Sequence, residues 1–332
     1  MEFTLPIVWA LILAFSVLLY VILDGFDLGV GMLFGFAPTE THRRTYMNAV
    51  APVWDGNETW LLVTGAGLFG AFPVVYSVLL PAFYLPLILM LIALVFRGVA
   101  FEFRYKTVRW RAIWDLGFIV GSFLAAFVQG AAVGAIVEGI PVADDRFAGG
   151  AFIWLSPFSV LCGLGLILGY MLLGATWLVF KTEGDARDWA RRRVFKLLIA
   201  VLVFLVFAFI YVAVTRPDII RLWIDRWPML IFPIIGAVAT IALVAALRQR
   251  NDVVPFLMTA LIFVCAFGTL AVSFWPYMIP HSITISDAAA PTLSLEFMFY
   301  GAAIVVLPVM LIYTAVVYTV FHGKVGADEG YH

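Results

Sequence analysis

Apolar positions along this chain gather in runs of about 20 residues or more, the length that crosses a hydrocarbon core at a helical rise of 1.5 Å per residue. Nine such runs are read, at approximately 6–35, 51–72, 74–101, 113–137, 152–180, 194–215, 228–247, 254–276 and 293–321. Only Phe72-Pro73 divides the second from the third. Several runs are longer than a crossing needs and are expected to tilt or protrude. The pattern predicts an all-α polytopic membrane protein, one integral membrane domain over 1–332, with short loops and no soluble domain.

The basic residues test that count. Arg43 and Arg44 lie in the stretch around 36–50, and Arg97, Arg104, Lys106, Arg109 and Arg111 lie at or after the end of the third run. Lys181, Arg187, Arg191, Arg192, Arg193 and Lys196 lie between the fifth and sixth, Arg248 and Arg250 after the seventh, and Lys324 in the tail. These are 16 of the 20 basic residues; the alternate loops hold Arg146, Arg216, Arg221 and Arg226. Cytoplasmic loops carry the Lys/Arg excess. Nine helices therefore predict a periplasmic N-terminus and a cytoplasmic C-terminus, and a wrong count would scramble the alternation.

Composition points the same way. Of 332 residues, 64% are hydrophobic and 12% charged, against roughly 45–50% and 25% in soluble domains. The net charge of −1 argues against nucleic acid as a partner. Cys162 and Cys265 stand far apart in apolar runs and fit buried small hydrophobes rather than a metal site. No cleavable signal peptide is expected: no positive charge precedes the first run, and no small-residue cleavage pattern follows it.

Chemistry is sought among ionisable groups at membrane depth, which are costly and face a bundle interior, a water chain or a partner. Asp24 and Asp27 lie three apart in YVILDGFDLGVGML, on one helix face. Two such carboxylates rarely both stay ionised without a cation, which suits proton transfer; the plainer reading is capping at a break beside Gly25. Asp55 and Glu58 repeat the spacing in APVWDGNETW, among Trp54, Asn57 and Trp60. A helix N-terminus also favours acids through its dipole. In the predicted topology both acidic pairs lie toward the cytoplasmic side and can meet. Arg97 and Glu102 flank the end of the third run in FRGVAFEFR; Arg97 can neutralise one of these carboxylates or simply snorkel. Asp115 follows Arg111 by four residues, an intrahelical pair on the plain reading.

His42, His281, His322 and His332 all fall in loops or at helix ends. Haem iron takes His, Met, Cys or Tyr ligands, and without a mid-membrane histidine this chain is expected to bind no haem. No metal cluster, P-loop or dinucleotide fingerprint is present. Gly25/Gly29, Gly31/Gly35 and Gly165/Gly169, each four apart, permit close helix approach.

DGFDLGVGML (24–33), NAVAPVWDGNETWL (48–61), LPLILMLIALVFRGVAFEFR (85–104), GATWL (174–178) and FWPYMIP (274–280) together resemble subunit II of cytochrome bd quinol oxidases. The resemblance runs from Leu5 to the last helix, and the short loop between helices 6 and 7 is similar to the branch that includes cyanide-insensitive oxidases. It implies a heterodimer in a bacterial inner membrane that oxidises quinol, reduces O₂ to water and generates proton-motive force without pumping. It places haem b and haem d, or a third haem b, and the quinol site in subunit I. The second subunit is then a haem-free chain of similar helical fold that stabilises subunit I and supplies part of a cytoplasmic proton route. Asp55 matches the family's proton-route aspartate, and Asp24 and Asp27 match the DGFD acids. Glu58 departs from members with Gln there, which puts a need for its ionisation in doubt. Small single-helix accessory subunits and a structural quinone stay open. Two alternatives remain: a proton-coupled secondary transporter, for which paired broken helices are not seen, and a purely structural membrane subunit.

Overall fold

The computed structural model describes residues 4–107, 109–217, 221, 223, 224 and 227–326. Arg226 and His332 lie outside them. The helices are α1 (Leu5–Phe34), α2 (Glu40–Val50), α3 (Trp54–Ala71), α4 (Pro73–Phe103), α5 (Arg111–Glu138), α6 (Pro157–Lys181), α7 (Gly184–Thr215), α8 (Ile231–Arg248), α9 (Val254–Phe274), α10 (Ile285–Ala288), α11 (Thr292–Met298) and α12 (Ile304–Val320). A π turn, Phe299–Ala303, joins the last two into one span. Two short hairpins, Val142–Ala143 with Arg146–Phe147 and Tyr277–Ile279 with Ile283–Thr284, cap the same end of the bundle.

Among the described residues eight helices are long and apolar enough to cross a membrane. The ninth predicted span is α3, only 18 residues long, whose first turns carry Asp55, Asn57 and Glu58. Those polar turns, not its length, keep it below the others in hydropathy; before it, α2 forms where run length predicts a loop. Thr39 caps this helix through its side chain, accepting from the His42 amide. Thr45–Val50 are then buried, and the Trp177 indole bonds the Ala49 carbonyl at 3.1 Å. The expected boundary at Phe72-Pro73 is found, with proline in the first turn of α4, where its missing N–H costs no helical bond.

The polar stretch 181–196 is also not a loop. Helix α7 starts at Gly184 and buries Ala186, Trp189, Ala190 and Val194, a stripe at helical spacing, while its arginines face outward or toward neighbouring loops.

Helices α1 and α6 form the spine. α1 packs on α3, α5 and α6; α6 packs on α5, α7 and α9. They cross with backbones nearly touching: a Cβ on Gly29 would lie 1.8 Å from the Tyr170 carbonyl oxygen, and one on Gly174 2.5 Å from the Gly29 carbonyl carbon. Phe26 stacks on Trp177 beside this crossing at 4.1 Å. Of the predicted glycine pairs, Gly29 thus makes a backbone contact, whereas Gly165 and Gly169 admit the rings of Phe204 and Phe263.

The basic loops converge at one end. There the chain returns on itself: the buried Lys181 ammonium donates to the carbonyls of Phe321 and Gly323, and the Val325 amide donates to the Lys181 carbonyl at 2.8 Å. Asp252, in the loop between α8 and α9, accepts from Lys324 at 2.6 Å, from Arg187 at 3.5 Å and from Arg191. Partial burial works against its charge, but these three cations outweigh it and hold the carboxyl below the usual carboxylate range. A group depressed on folding stabilises the fold above its unfolded value, and that stability is lost as pH falls through the folded value. The clasp is therefore intact at neutral pH and loosens in acid. Asp252→Asn is expected to speed amide exchange at Val325 severalfold at neutral pH, after correction for intrinsic rate. An unchanged rate would show that the two Lys181 bonds suffice.

Candidate functional site: a buried arginine among three carboxylates

Arg97 extends from α4 into the bundle and is wholly buried. The snorkelling reading is therefore excluded for this side chain. Its Nη1 donates to Asp24 Oδ1 at 3.0 Å and to Glu58 Oε1 at 2.5 Å, and its Nη2 lies 3.9 Å from Asp27 Oδ2. Asp24 and Asp27 share a face of α1 as their spacing predicts, and both are fully buried. The two acidic pairs meet, but only through Glu58.

Asn57 closes the far side. Its Nδ2 donates to Asp27 Oδ2 at 2.7 Å and to the Leu23 carbonyl at 3.3 Å, and its Oδ1 accepts from the Tyr318 hydroxyl at 3.0 Å. Tyr318 sits two residues before the end of α12 and is a site residue missed in the sequence, where it reads as one more interfacial aromatic. Trp54 stacks on Phe101 at 4.8 Å and 7°, and Phe101 lies under the Arg97 guanidinium at 5.9 Å. Gly98 leaves room for the Trp54 ring one turn away. These rings stack beside the guanidinium.

Asp55 stays outside the cluster. It is exposed at the start of α3, while Glu58, one turn on, has a quarter of its side chain accessible. Glu58 thus bridges an exposed acid and a buried ion group. Four buried atoms of that group, Asp24 Oδ2, Asp27 Oδ1, and Arg97 Nε and Nη2, have no hydrogen-bond partner among the protein atoms.

The remaining predicted charges lie elsewhere. Glu102 is exposed and pairs with Lys106 at 3.0 Å, so it does not reach Arg97; from position 102 its side chain leaves the opposite side of α4. The expected Arg111–Asp115 pair is not formed. Asp115 accepts from Arg104 Nε at 2.5 Å and from Arg43 at 3.2 Å, because the buried Arg104 guanidinium already lies between α2 and α5. Arg111 faces Glu40 instead, at 3.6 Å, and Glu40 also accepts from Arg104. This second group pins α2 and α5 to the end of α4.

Comparison with known proteins turns this geometry into a family assignment. The family model described as cytochrome bd terminal oxidase subunit II matches residues 5–321. The chain belongs to the cytochrome bd terminal oxidase subunit II family. Cytochrome bd-I ubiquinol oxidase subunit 2 of Escherichia coli (strain K12) is 30% identical, with 98% of this chain and 96% of that one covered. Cytochrome bd ubiquinol oxidase subunit 2 of Bacillus subtilis (strain 168) is 30% identical, with 97% of each covered. The structure of bd oxidase from Geobacillus thermodenitrificans shares the fold, with a TM-score of 0.75 at 17% identity over 94% of this chain and 98% of that one. Subunit II of such an oxidase is part of a quinol:O₂ oxidoreductase complex, and the transporter alternative is set aside.

None of the three described histidines is buried, and among the described residues no three His, Cys, Asp or Glu side chains gather as a metal site.

Proposed function

We propose that this chain, acting as a single integral membrane domain, carries protons toward the O₂-reducing site of a heterodimeric quinol oxidase and holds the haem-bearing subunit in place. The reaction converts two quinols and one O₂ into two quinones and two waters, so four protons must enter wherever O₂ is reduced. Haems held by the partner subunit, two of b type with a haem d or a third haem b, supply the electron route. The observation that carries the proposal is Arg97 buried against carboxylates from two other helices, with Glu58 leading outward to Asp55.

The residues divide the work. Asp55 takes a proton from water at the exposed start of α3. Glu58 relays it one turn inward. Arg97 holds Asp24, Asp27 and Glu58 within reach of one another, and one guanidinium against three carboxylates leaves the group room for protons. The unpartnered oxygen of Asp27 is where a proton-carrying water can bond. Asn57 and Tyr318 fix the Asp27 carboxylate. The alternation of basic loops supports a periplasmic N-terminus and a cytoplasmic C-terminus in a bacterial inner membrane, so the path opens on the cytoplasmic side. Small accessory subunits, lipids or a structural quinone can add to this assembly without altering these roles.

The test is O₂ consumption per haem in purified complexes. Asp24→Asn and Asp55→Asn are each expected to slow turnover about tenfold or more, as loss of one relay step requires, with haem content kept. Glu58→Gln is expected to cost less, because the resemblance implies that some family members carry glutamine at this position. Full turnover with haem kept in Asp24→Asn and Asp55→Asn would leave only the structural role, and Asp24→Asn alone at full turnover already removes the path through the Arg97 group.

A further inference from the structure

Three side chains off the Arg97 group form an arm that the proton path does not use. Tyr20 lies one turn before Asp24 on α1, and its hydroxyl stands beside the Asp24 carboxylate. Gln129 of α5 donates from Nε2 to the Tyr20 hydroxyl at 2.9 Å, and the Tyr170 hydroxyl of α6 donates to Gln129 Oε1 at 2.7 Å. Tyr20 is 5% exposed and Tyr170 fully buried. The Tyr170 ring occupies the space left by Gly25, where a Cβ would come within 2.7 Å of it. Three helices thus converge on the residue pair Asp24-Gly25.

The order of donors decides what the arm does. A tyrosine hydroxyl has one hydrogen to give and can accept in return. Gln129 fills the accepting side of Tyr20, so the Tyr20 hydrogen is free for Asp24. Asp24 Oδ1 already binds Arg97, while Oδ2 is buried with no hydrogen-bond partner and is left for that donor. When Asp24 carries a proton the sequence can reverse: Asp24 donates to Tyr20, Tyr20 to Gln129 Oε1, and the turned Gln129 amide to Tyr170. A side-chain amide suits this because it offers a donor and an acceptor at one end. The arm stops at Tyr170, whose ring stacks on Phe263 at 5.8 Å. It therefore orients a group and conducts nothing.

We infer that Tyr20, set by Gln129 and Tyr170, is a positioning residue for Asp24 in proton delivery, donating to its carboxylate and accepting from its acid form. The inference rests on the proton-path reading above. Asp24 is also faced by Arg97 from α4, Glu58 from α3, Asp27 on its own helix, Tyr170 from α6 and Tyr318 from α12. Of these, only Tyr170 is linked to the Tyr20 hydroxyl, through Gln129, so the double variant with Asp24→Asn is what isolates a Tyr20 effect on Asp24.

The experiment compares purified holo-complexes carrying Tyr20→Phe, Asp24→Asn and both, by O₂ turnover per haem across pH. Tyr20→Phe is expected to slow turnover by roughly ten- to a hundredfold, the size of one hydrogen bond to a charged group. It is also expected to change the pH profile of turnover, because the Asp24 carboxyl loses a hydrogen-bond partner. On the Asp24→Asn background the same change is expected to add nothing, which a merely structural role would not produce. If Tyr20→Phe loses haem, Gln129→Leu, which keeps the hydroxyl but unseats it, carries the same two readouts with a smaller loss. Parental turnover and pH profile in these variants, or an equal loss on the Asp24→Asn background, overturns the inference. Asp24→Asn at full turnover would instead overturn the proton path itself, so the two failures are distinct.

Discussion

Arg97→Leu is expected to strip the assembled oxidase from the membrane. The substitution leaves Asp24, Asp27 and most of Glu58 buried without a cation. Removing one partner of a buried ion pair costs about 3–5 kcal/mol, a large share of the roughly 5–15 kcal/mol that holds a domain together. The loss exceeds what the pair contributes, because the stranded carboxylates must be desolvated with nothing in return. Haem absorbance per milligram of membrane protein reads the outcome. A paired change, Arg97→Leu with Asp24→Asn, is expected to recover part of it by removing one stranded charge. Normal haem content in the single variant would mean that the carboxylates are neutral as a group without Arg97.

Gly29→Ala should be nearly as damaging, although it adds one methyl group. The new Cβ would meet the Tyr170 carbonyl oxygen at 1.8 Å, and backbone cannot swing aside as a side-chain tip can. Helices α1 and α6 must part, which opens the Phe26–Trp177 stack and moves Asp27, two residues away. Overpacking of this kind costs about 3 kcal/mol or more. Gly150→Ala, at a position with open space around it, is the matched control and should be silent. Equal yields and equal inactivation temperatures for the two complexes would contradict the crossing.

The spans are legible in the sequence because lipid replaces the period of a surface helix with simple run length, a signal nine segments long in this chain. Two helical stretches escape that signal for one reason. α2 and the first turns of α7 are rich in charge, and run length is blind to an amphipathic stripe such as Ala186, Trp189, Ala190 and Val194. The acidic pairs are legible as pairs, since a spacing of three sets a common face. Which member turns inward is not: Asp55 and Glu58 differ by a fraction of a turn, and only the packing of α3 on α1 and α4 brings Glu58 to Arg97. Asp115 shows the same limit. Its neighbour in sequence is Arg111, yet Arg104 and Arg43 reach it across helices. Gln129 and Tyr170 carry no signal, being single polar groups in apolar runs whose partners lie 109 and 41 residues from Gln129.

The most direct test of the proton path is proton uptake from the bulk during a single turnover of the fully reduced complex with O₂, followed by a pH-sensitive dye. With Asp24→Asn, electrons are expected to reach O₂ while uptake is slowed about tenfold or more relative to the parent. Uptake at the parental rate in a complex with full haem content would contradict the account, because Asp24 would then lie off the path.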